Sequence, residues 1–157
     1  MTNKAKLPLT TKNSLFIDKN IALATWTGIS IGVTNAFSSK LEQLGTPFTE
    51  GFTSLDFNAY TTAKSVYYLD RKTSSINNIA NSVGGSSYGK AIAAYSNANF
   101  VKNVFFGFYN INYWTADTKK LFKNSVKWIV TQQCTDLDGD YYVNENINPN
   151  VCEKICG

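Results

Sequence analysis

The sequence predicts an α/β fold, in which a mixed sheet is flanked by at least two helices and followed by a short tail. Short β-branched and aromatic runs alternate with polar or glycine positions, which is typical of strands. Two segments carry apolar residues at helical spacing. All three cysteines lie after residue 133, so we divide the chain into a body, residues 1–133, and a tail, residues 134–157.

Composition and charge narrow the class of protein. Of the 157 residues, 43% are hydrophobic and 14% are aromatic, which favours a folded domain over a disordered one. The body carries a net charge of +8 and the tail −4. Because the lysines of the body are scattered, we expect a solubilising surface and no nucleic-acid partner. No apolar stretch reaches the ~18 residues of a membrane-spanning helix.

The strands and helices of the body follow from local patterns. Apolar or β-branched runs predict strands at 15–17, 21–25, 29–33, 65–70, 91–95 and 101–109, with the last two forming a hairpin. The spacing of Phe37, Leu41 and Leu44 predicts a first helix that ends before Gly45. A second helix is predicted to begin after Thr115, a good N-cap, and to end at about Gln133, directly before the tail.

The tail holds the most specific motif of the chain, an acidic run that begins just after Cys134. Carboxylates at alternating positions of a tight loop can turn towards one hard cation, and oxygen donors suit Ca²⁺. The predicted ligands are Asp136, Asp138, Asp140, the Tyr142 backbone carbonyl, Asn144 and Glu145. A solvated acidic turn is the alternative, although the crowded carboxylates repel one another unless a cation neutralises them.

This acidic segment is an imperfect version of the helix–loop–helix Ca²⁺ loop. Gly139 stands at the fourth place, Tyr141 at the sixth and Ile147 at the twelfth, where a bidentate carboxylate is expected. The segment resembles the Asp-x-Asp-x-Asp calcium repeats of thrombospondin type 3 and dockerin modules, in which a cysteine commonly precedes the acidic run. The resemblance covers about 20 residues and implies a structural Ca²⁺ ion in an extracellular module.

The cysteines of the tail are Cys134, Cys152 and Cys156. A small segment that buries few apolar residues needs a disulfide or a bound metal ion for stability. With three cysteines, we expect one disulfide and one remaining thiol. Zinc is the rival, but the chain has no fourth cysteine and no histidine, so a zinc site would have to recruit a carboxylate.

The end of the body also resembles a known family. Val-Phe-Phe-Gly-Phe-Tyr at 104–109 and the helical segment at 121–129 look like the closing strand and helix of class I glutamine-amidotransferase-like domains. The resemblance spans roughly residues 90–130. It implies a flavodoxin-like fold, complete or partial, of the non-catalytic branch that is often attached to carbohydrate-active proteins.

Catalysis by that family's mechanism is excluded, because its cysteine nucleophile needs a histidine base and this chain has no histidine. The same absence removes a Ser-His-Asp triad. A histidine-free hydrolase remains an alternative, with Glu50, Asp56 or Asp70 as acid–base candidates.

We therefore expect a non-enzymatic structural or adhesion module within a longer extracellular or surface chain, stabilised by Ca²⁺ in its tail. The first ten residues carry charge without the apolar region of a signal peptide, so a cytoplasmic protein is the alternative expectation. A carbohydrate-binding module is the second expectation, with a glycan as partner. Trp114 and Tyr113, just before the final helix, are its expected stacking residues.

Overall fold

The computed structural model describes residues 13–17, 31–69, 76–83, 91–98 and 101–131. In these ranges it contains strands β1 (Ser14–Phe16), β2 (Ile31–Ala36), β3 (Ser38–Leu41), β4 (Asp56–Asn58), β5 (Lys64–Leu69), β6 (Asn77–Ser82), β7 (Ala91–Ala98) and β8 (Val101–Phe106). One α-helix, α1 (Ala116–Val130), follows the strands, and short 3₁₀ turns lie at Pro47–Thr49 and Ile111–Tyr113.

The sheet is built around the β7–β8 hairpin, which confirms the hairpin predicted from the sequence. The strand order is β1-β8-β7-β6-β3-β4, and β1 is parallel to β8 whereas the other pairs are antiparallel. β2 and β5 form an antiparallel pair that joins β7 through Leu69 and Ala91. The predicted strands at 15–17 and 65–70 are confirmed as β1 and β5, while the strand predicted at 21–25 lies outside the described residues.

Helix α1 packs on one face of the sheet and closes the main hydrophobic core. Its Leu121 and Ile129 are buried against strand residues such as Val104 and Phe106. A smaller cluster lies on the opposite face, where Phe105 of β8 is fully buried. This arrangement explains why the second half of β8, Val104 to Phe106, is continuously apolar: these residues are buried on both faces of the sheet.

The flavodoxin-like prediction is wrong. Such folds have parallel strands with helices on both faces, whereas this sheet is largely antiparallel and the described residues hold one α-helix, not two or more. The second predicted helix is confirmed as α1, with Thr115 at its N-cap.

The first predicted helix is also wrong, because residues 31–41 form β2 and β3. Phe37 is 45% exposed and Leu44 is 38% exposed, so the face that the helical spacing implied is not buried. Instead Ser39 and Leu41 are buried on either side of exposed Lys40, the period of a strand. Backbone pairing with three other strands outweighs the local helical spacing.

Gly107, between the aromatic residues of the sequence motif, lies where β5 and β7 approach the end of β8. Its amide donates to the Ile92 carbonyl at 2.7 Å, and its carbonyl accepts from the Tyr67 amide at 3.0 Å. A Cβ at this position would lie 2.0 Å from the Tyr67 carbonyl oxygen. Glycine is therefore required by close backbone approach, which is a structural reason for the motif.

The C-terminal end of α1 is held by residues distant in sequence, Asn13 and Lys102. The Lys102 ammonium donates to the carbonyls of Trp128 at 2.9 Å and Thr131 at 2.6 Å. The Asn13 amide group donates to the Ile129 carbonyl at 2.9 Å, and its oxygen accepts from the Lys102 backbone amide at 2.9 Å. We call this arrangement of Asn13, Lys102 and the last turn of α1 the clasp.

Candidate functional site

The predicted Ca²⁺ loop lies outside the described residues. This applies to every ligand and cysteine predicted for it: Asp136, Asp138, Asp140, Tyr142, Asn144, Glu145, Cys134, Cys152 and Cys156. Within the part of the chain that the structure does describe, no group of three or more acidic, cysteine or histidine side chains is placed to hold a metal ion. The calcium site therefore stays a prediction from the sequence.

Trp114, the first predicted stacking residue, packs its side chain against the hydrophobic core. Its indole N–H donates to the Phe108 carbonyl at 2.7 Å. Its ring packs 5.5 Å from Phe106 and 5.1 Å from Phe122, measured between centroids. Because one tryptophan has only one N–H and limited free surface, little of this side chain is left for a ligand.

Tyr113, the second predicted stacking residue, lies on the surface and is 39% exposed. The Lys64 ammonium stands 3.7 Å from the centre of its ring, a cation–π contact that covers one face. Neighbouring Ile111 is 58% exposed. Tyr113 therefore offers an open surface to a ligand and no enclosing walls.

The carboxylates considered for acid–base chemistry lie in separate surroundings. Glu50 forms an exposed ion pair with Lys127 at 2.9 Å. Asp56 borders an open depression together with Asp117, and Asp70 lies outside the described residues. A glycosidase needs two carboxyl groups facing one bond. The pairing of Glu50 with a lysine gives no support to that role.

A second depression, a cleft, lies between the segment after β3 and the strands β6 and β7. Its volume is about 190 Å³. Its lining comprises Glu42, Gln43, Thr46, Phe48, Thr49, Asn77, Asn78, Ile79 and Tyr95. The lining is mostly polar, with amides, hydroxyls and one carboxylate beside two aromatic residues and Ile79.

Hydrogen bonds fix the polar side of this cleft. The Asn81 amide donates to the Glu42 carboxylate at 2.7 Å, and the Asn78 amide donates to the Asn81 oxygen at 2.8 Å. A chain of this kind sets the amide orientations, because each group has a defined donor and acceptor. Glu42 and Asn78 therefore present oriented polar atoms to the cleft.

Phe48 and Tyr95 form the aromatic part of the lining, and Trp128 packs against both rings. Phe48 lies 4.6 Å from Tyr95 and 4.9 Å from Trp128, and Tyr95 lies 5.2 Å from Trp128. Phe48 is buried while Tyr95 is only partly so. Since packed aromatic rings hold one another in place, Tyr95 borders the cleft on a rigid support.

The segment that contains Phe48 is held in place by hydrogen bonds, both within its own turn and from α1. The Thr49 hydroxyl oxygen accepts from the Thr46 amide at 3.0 Å, which closes the turn locally. From α1, the Asn124 amide donates to the carbonyls of Phe48 at 2.9 Å and Glu50 at 3.0 Å. The cleft therefore has little freedom to lose on binding a ligand.

A buried hydroxyl lies on the other side of the domain, at Tyr60. This side chain is fully buried, and its hydroxyl makes no hydrogen bond of normal geometry although Asn110 and Trp114 lie beside it. Burial raises the pKa of Tyr60 to about 12. The hydroxyl thus keeps its proton and is unsuited to act as a base near neutral pH.

The cleft residues are absent from the sequence-based predictions. The asparagine-rich stretch of 77–81 was the available signal, because polar amides recur there among buried apolar residues. The incorrect helix prediction at 35–44 hid the other side of the cleft, because that side is in place only when β3 pairs with β6.

The described part of the chain has no helix with the length and hydrophobicity needed to cross a bilayer.

Comparisons of the chain with protein-family models, with curated proteins and with solved structures find no match. The function proposed below is therefore drawn from the residues and their geometry.

Proposed function

We propose that the chain is a non-enzymatic structural and adhesion module of an extracellular or surface protein, with a Ca²⁺-stabilised tail that is anchored to the sheet by the clasp. The single observation that carries this proposal is the clasp. It joins β1, β8 and the end of α1 a few residues before the predicted calcium loop begins.

Lys102 is unusual because it places a charged group among largely apolar buried residues. Its side chain is only 4% exposed, and burial lowers the pKa of its ammonium group. Burying a charge costs free energy unless partners replace the lost water. Here the partners are the last carbonyls of α1, at the end of the helix where the dipole favours a cation.

The clasp also brings the two ends of the described body together. Asn13 precedes β1, and Ile129 lies in the last turn of α1, yet the two are joined by a hydrogen bond. A load applied through the tail would therefore reach the sheet through β1 and β8 at once. This geometry supports a module held at one end, with the rest of its surface available to partners.

Thermal unfolding of the full chain, with Ca²⁺ and with EDTA, tests this proposal. We expect Ca²⁺ to raise the melting temperature of the body in the wild type. Lys102→Met should reduce that increase, because it removes the ammonium that holds the end of α1. Asp138→Asn should reduce it through the predicted ligand, and Lys123→Met, at an exposed position of α1, is the matched control.

An unchanged melting temperature on adding millimolar Ca²⁺ would contradict the calcium role. An equal Ca²⁺ response in the wild type and Lys102→Met would contradict the anchoring role alone. Hydrolysis of a glycoside that is lost in Asp56→Asn would contradict the non-enzymatic role and favour the hydrolase alternative.

Carbohydrate binding at Tyr113 is the second candidate function. The exposed ring favours it, because the apolar face of a sugar can pack on an aromatic side chain. Loss of glycan binding in Tyr113→Ala would support this candidate, and unaltered glycan binding in that variant would reject it.

A further inference from the structure

We infer that the cleft between the segment after β3 and strands β6 and β7 binds one neutral sugar ring of a glycan. The inference rests on the proposed adhesive role and gives that role a ligand. It places recognition at Glu42, Asn77, Asn78 and Tyr95, away from the Tyr113 surface.

The size of the cleft limits the ligand. At about 190 Å³, the cleft is smaller than the ~300–1,000 Å³ of sites for drug-sized molecules. It therefore has room for a single ring, while the remainder of a glycan would extend into solvent.

The polar lining selects for hydroxyl groups. Amide side chains from Gln43, Asn77 and Asn78 both donate and accept hydrogen bonds, as sugar hydroxyls do. Glu42 adds an acceptor, and among the described residues that line the cleft it is the only charged side chain, with no lysine or arginine beside it. A phosphate or carboxylate ligand would be repelled by Glu42 and would find no counter-charge.

The aromatic wall supplies the other half of sugar recognition. Tyr95 borders the cleft, and Phe48 and Trp128 support its ring from behind. The C–H face of a pyranose can pack against such a ring while its hydroxyls meet the amides opposite. Trp128, which packs against both Phe48 and Tyr95, also lies 5.1 Å from the Lys102 ammonium.

An array of neutral glycans, probed with the full chain, tests the inference, followed by calorimetry with the sugar that binds best. We expect Asn77→Ala and Glu42→Ala each to weaken binding about tenfold, the usual cost of one lost polar partner. Asn77 is exposed and Glu42 lies at the surface, so both variants should fold, which thermal unfolding would verify. Tyr113→Ala distinguishes this cleft from the exposed tyrosine, and Lys123→Ala, at an exposed position of α1, is the matched control.

Three outcomes would overturn the inference. If a glycan binds and only Tyr113→Ala weakens it, adhesion stands but the site is wrong. If the protein binds a simple amine such as putrescine and no sugar, Glu42 recognises a cation instead. If no glycan binds while the Ca²⁺ response still depends on Lys102, the structural role stands without this ligand.

Discussion

The two ends of α1 are stabilised in different ways. At the N-terminal end, the Thr115 hydroxyl accepts from the Thr118 amide at 3.3 Å and donates to the Asn58 carbonyl at 2.6 Å. At the C-terminal end, the partners are the buried charge of Lys102 and the amide of Asn13. The first end uses neutral groups, the hydroxyl of the cap residue and the backbone carbonyl of Asn58. The second uses a cation from β8, so its stabilisation depends on the packing of the helix against the sheet.

The difference has an energetic consequence. A neutral cap contributes about 1 kcal/mol, whereas a change that leaves a buried charge without its partners costs about 3–5 kcal/mol. We therefore expect the C-terminal end to be the more sensitive one. The following variants test this difference between the two ends.

Reversing the charge at Lys102 should have the largest effect. In Lys102→Glu a carboxylate would face the Trp128 and Thr131 carbonyls without a counter-charge, so we expect a loss of about 3–5 kcal/mol in the free energy of unfolding. Denaturant unfolding measures it. Lys123→Glu changes the same charge at an exposed position of α1 and should cost far less; equal losses would contradict the special role of the clasp.

Removing Asn13 should have the next largest effect. Asn13→Ala deletes one bond to the Ile129 carbonyl and one from the Lys102 amide, so we expect about 1–2 kcal/mol. Denaturant unfolding and proteolysis near β1 would both report it. A loss below that of Thr115→Ala would show that the N-terminal end is the more sensitive one.

The N-terminal cap should have a smaller effect. Thr115→Ala removes the cap and should cost about 1 kcal/mol, while Thr115→Ser keeps the hydroxyl and should retain most of the stability. Chemical denaturation of the two variants side by side gives the comparison. Equal losses would show that the methyl group, not the hydroxyl, stabilises this end.

Tyr60, which forms a β-bridge with Trp114 just before the helix, should have the smallest effect at neutral pH. Tyr60→Phe removes a buried hydroxyl without a partner, so we expect stability to stay equal or rise slightly. Between pH 10 and about 12 the wild type should lose stability relative to the variant. The reason is that the unfolded tyrosine ionises near 10.0, whereas the folded one keeps its proton until about 12. A constant difference across this range would contradict the raised pKa.

The two ends also show what the sequence could predict. Thr115 was identifiable because a cap and its helix are neighbours in the chain, and the β7–β8 hairpin was identifiable for the same reason. Lys102 was not, because its partners are 26 and 29 residues away. Phe37 and Leu44 misled the prediction, since helical spacing occurred by chance in a segment whose backbone pairs with distant strands.

The candidate cleft was missed for the same physical reason. Glu42 and Asn78 come from separate segments and meet only through strand pairing between β3 and β6. By contrast, the acidic motif of the tail is contiguous and could be identified from the sequence, yet its residues lie outside the described ranges. Long-range contacts create the cleft, and local spacing creates the motif.

We propose that the clasp connects the tail, with its predicted calcium site, to the sheet. Hydrogen exchange of the backbone amides at 128–131, measured on the full chain with Ca²⁺ and with EDTA, tests it most directly. We predict slower exchange with Ca²⁺ in the wild type and a much smaller change in Lys102→Met. Exchange at these amides that does not respond to Ca²⁺, in a chain that calorimetry shows to bind the ion, would contradict the claim.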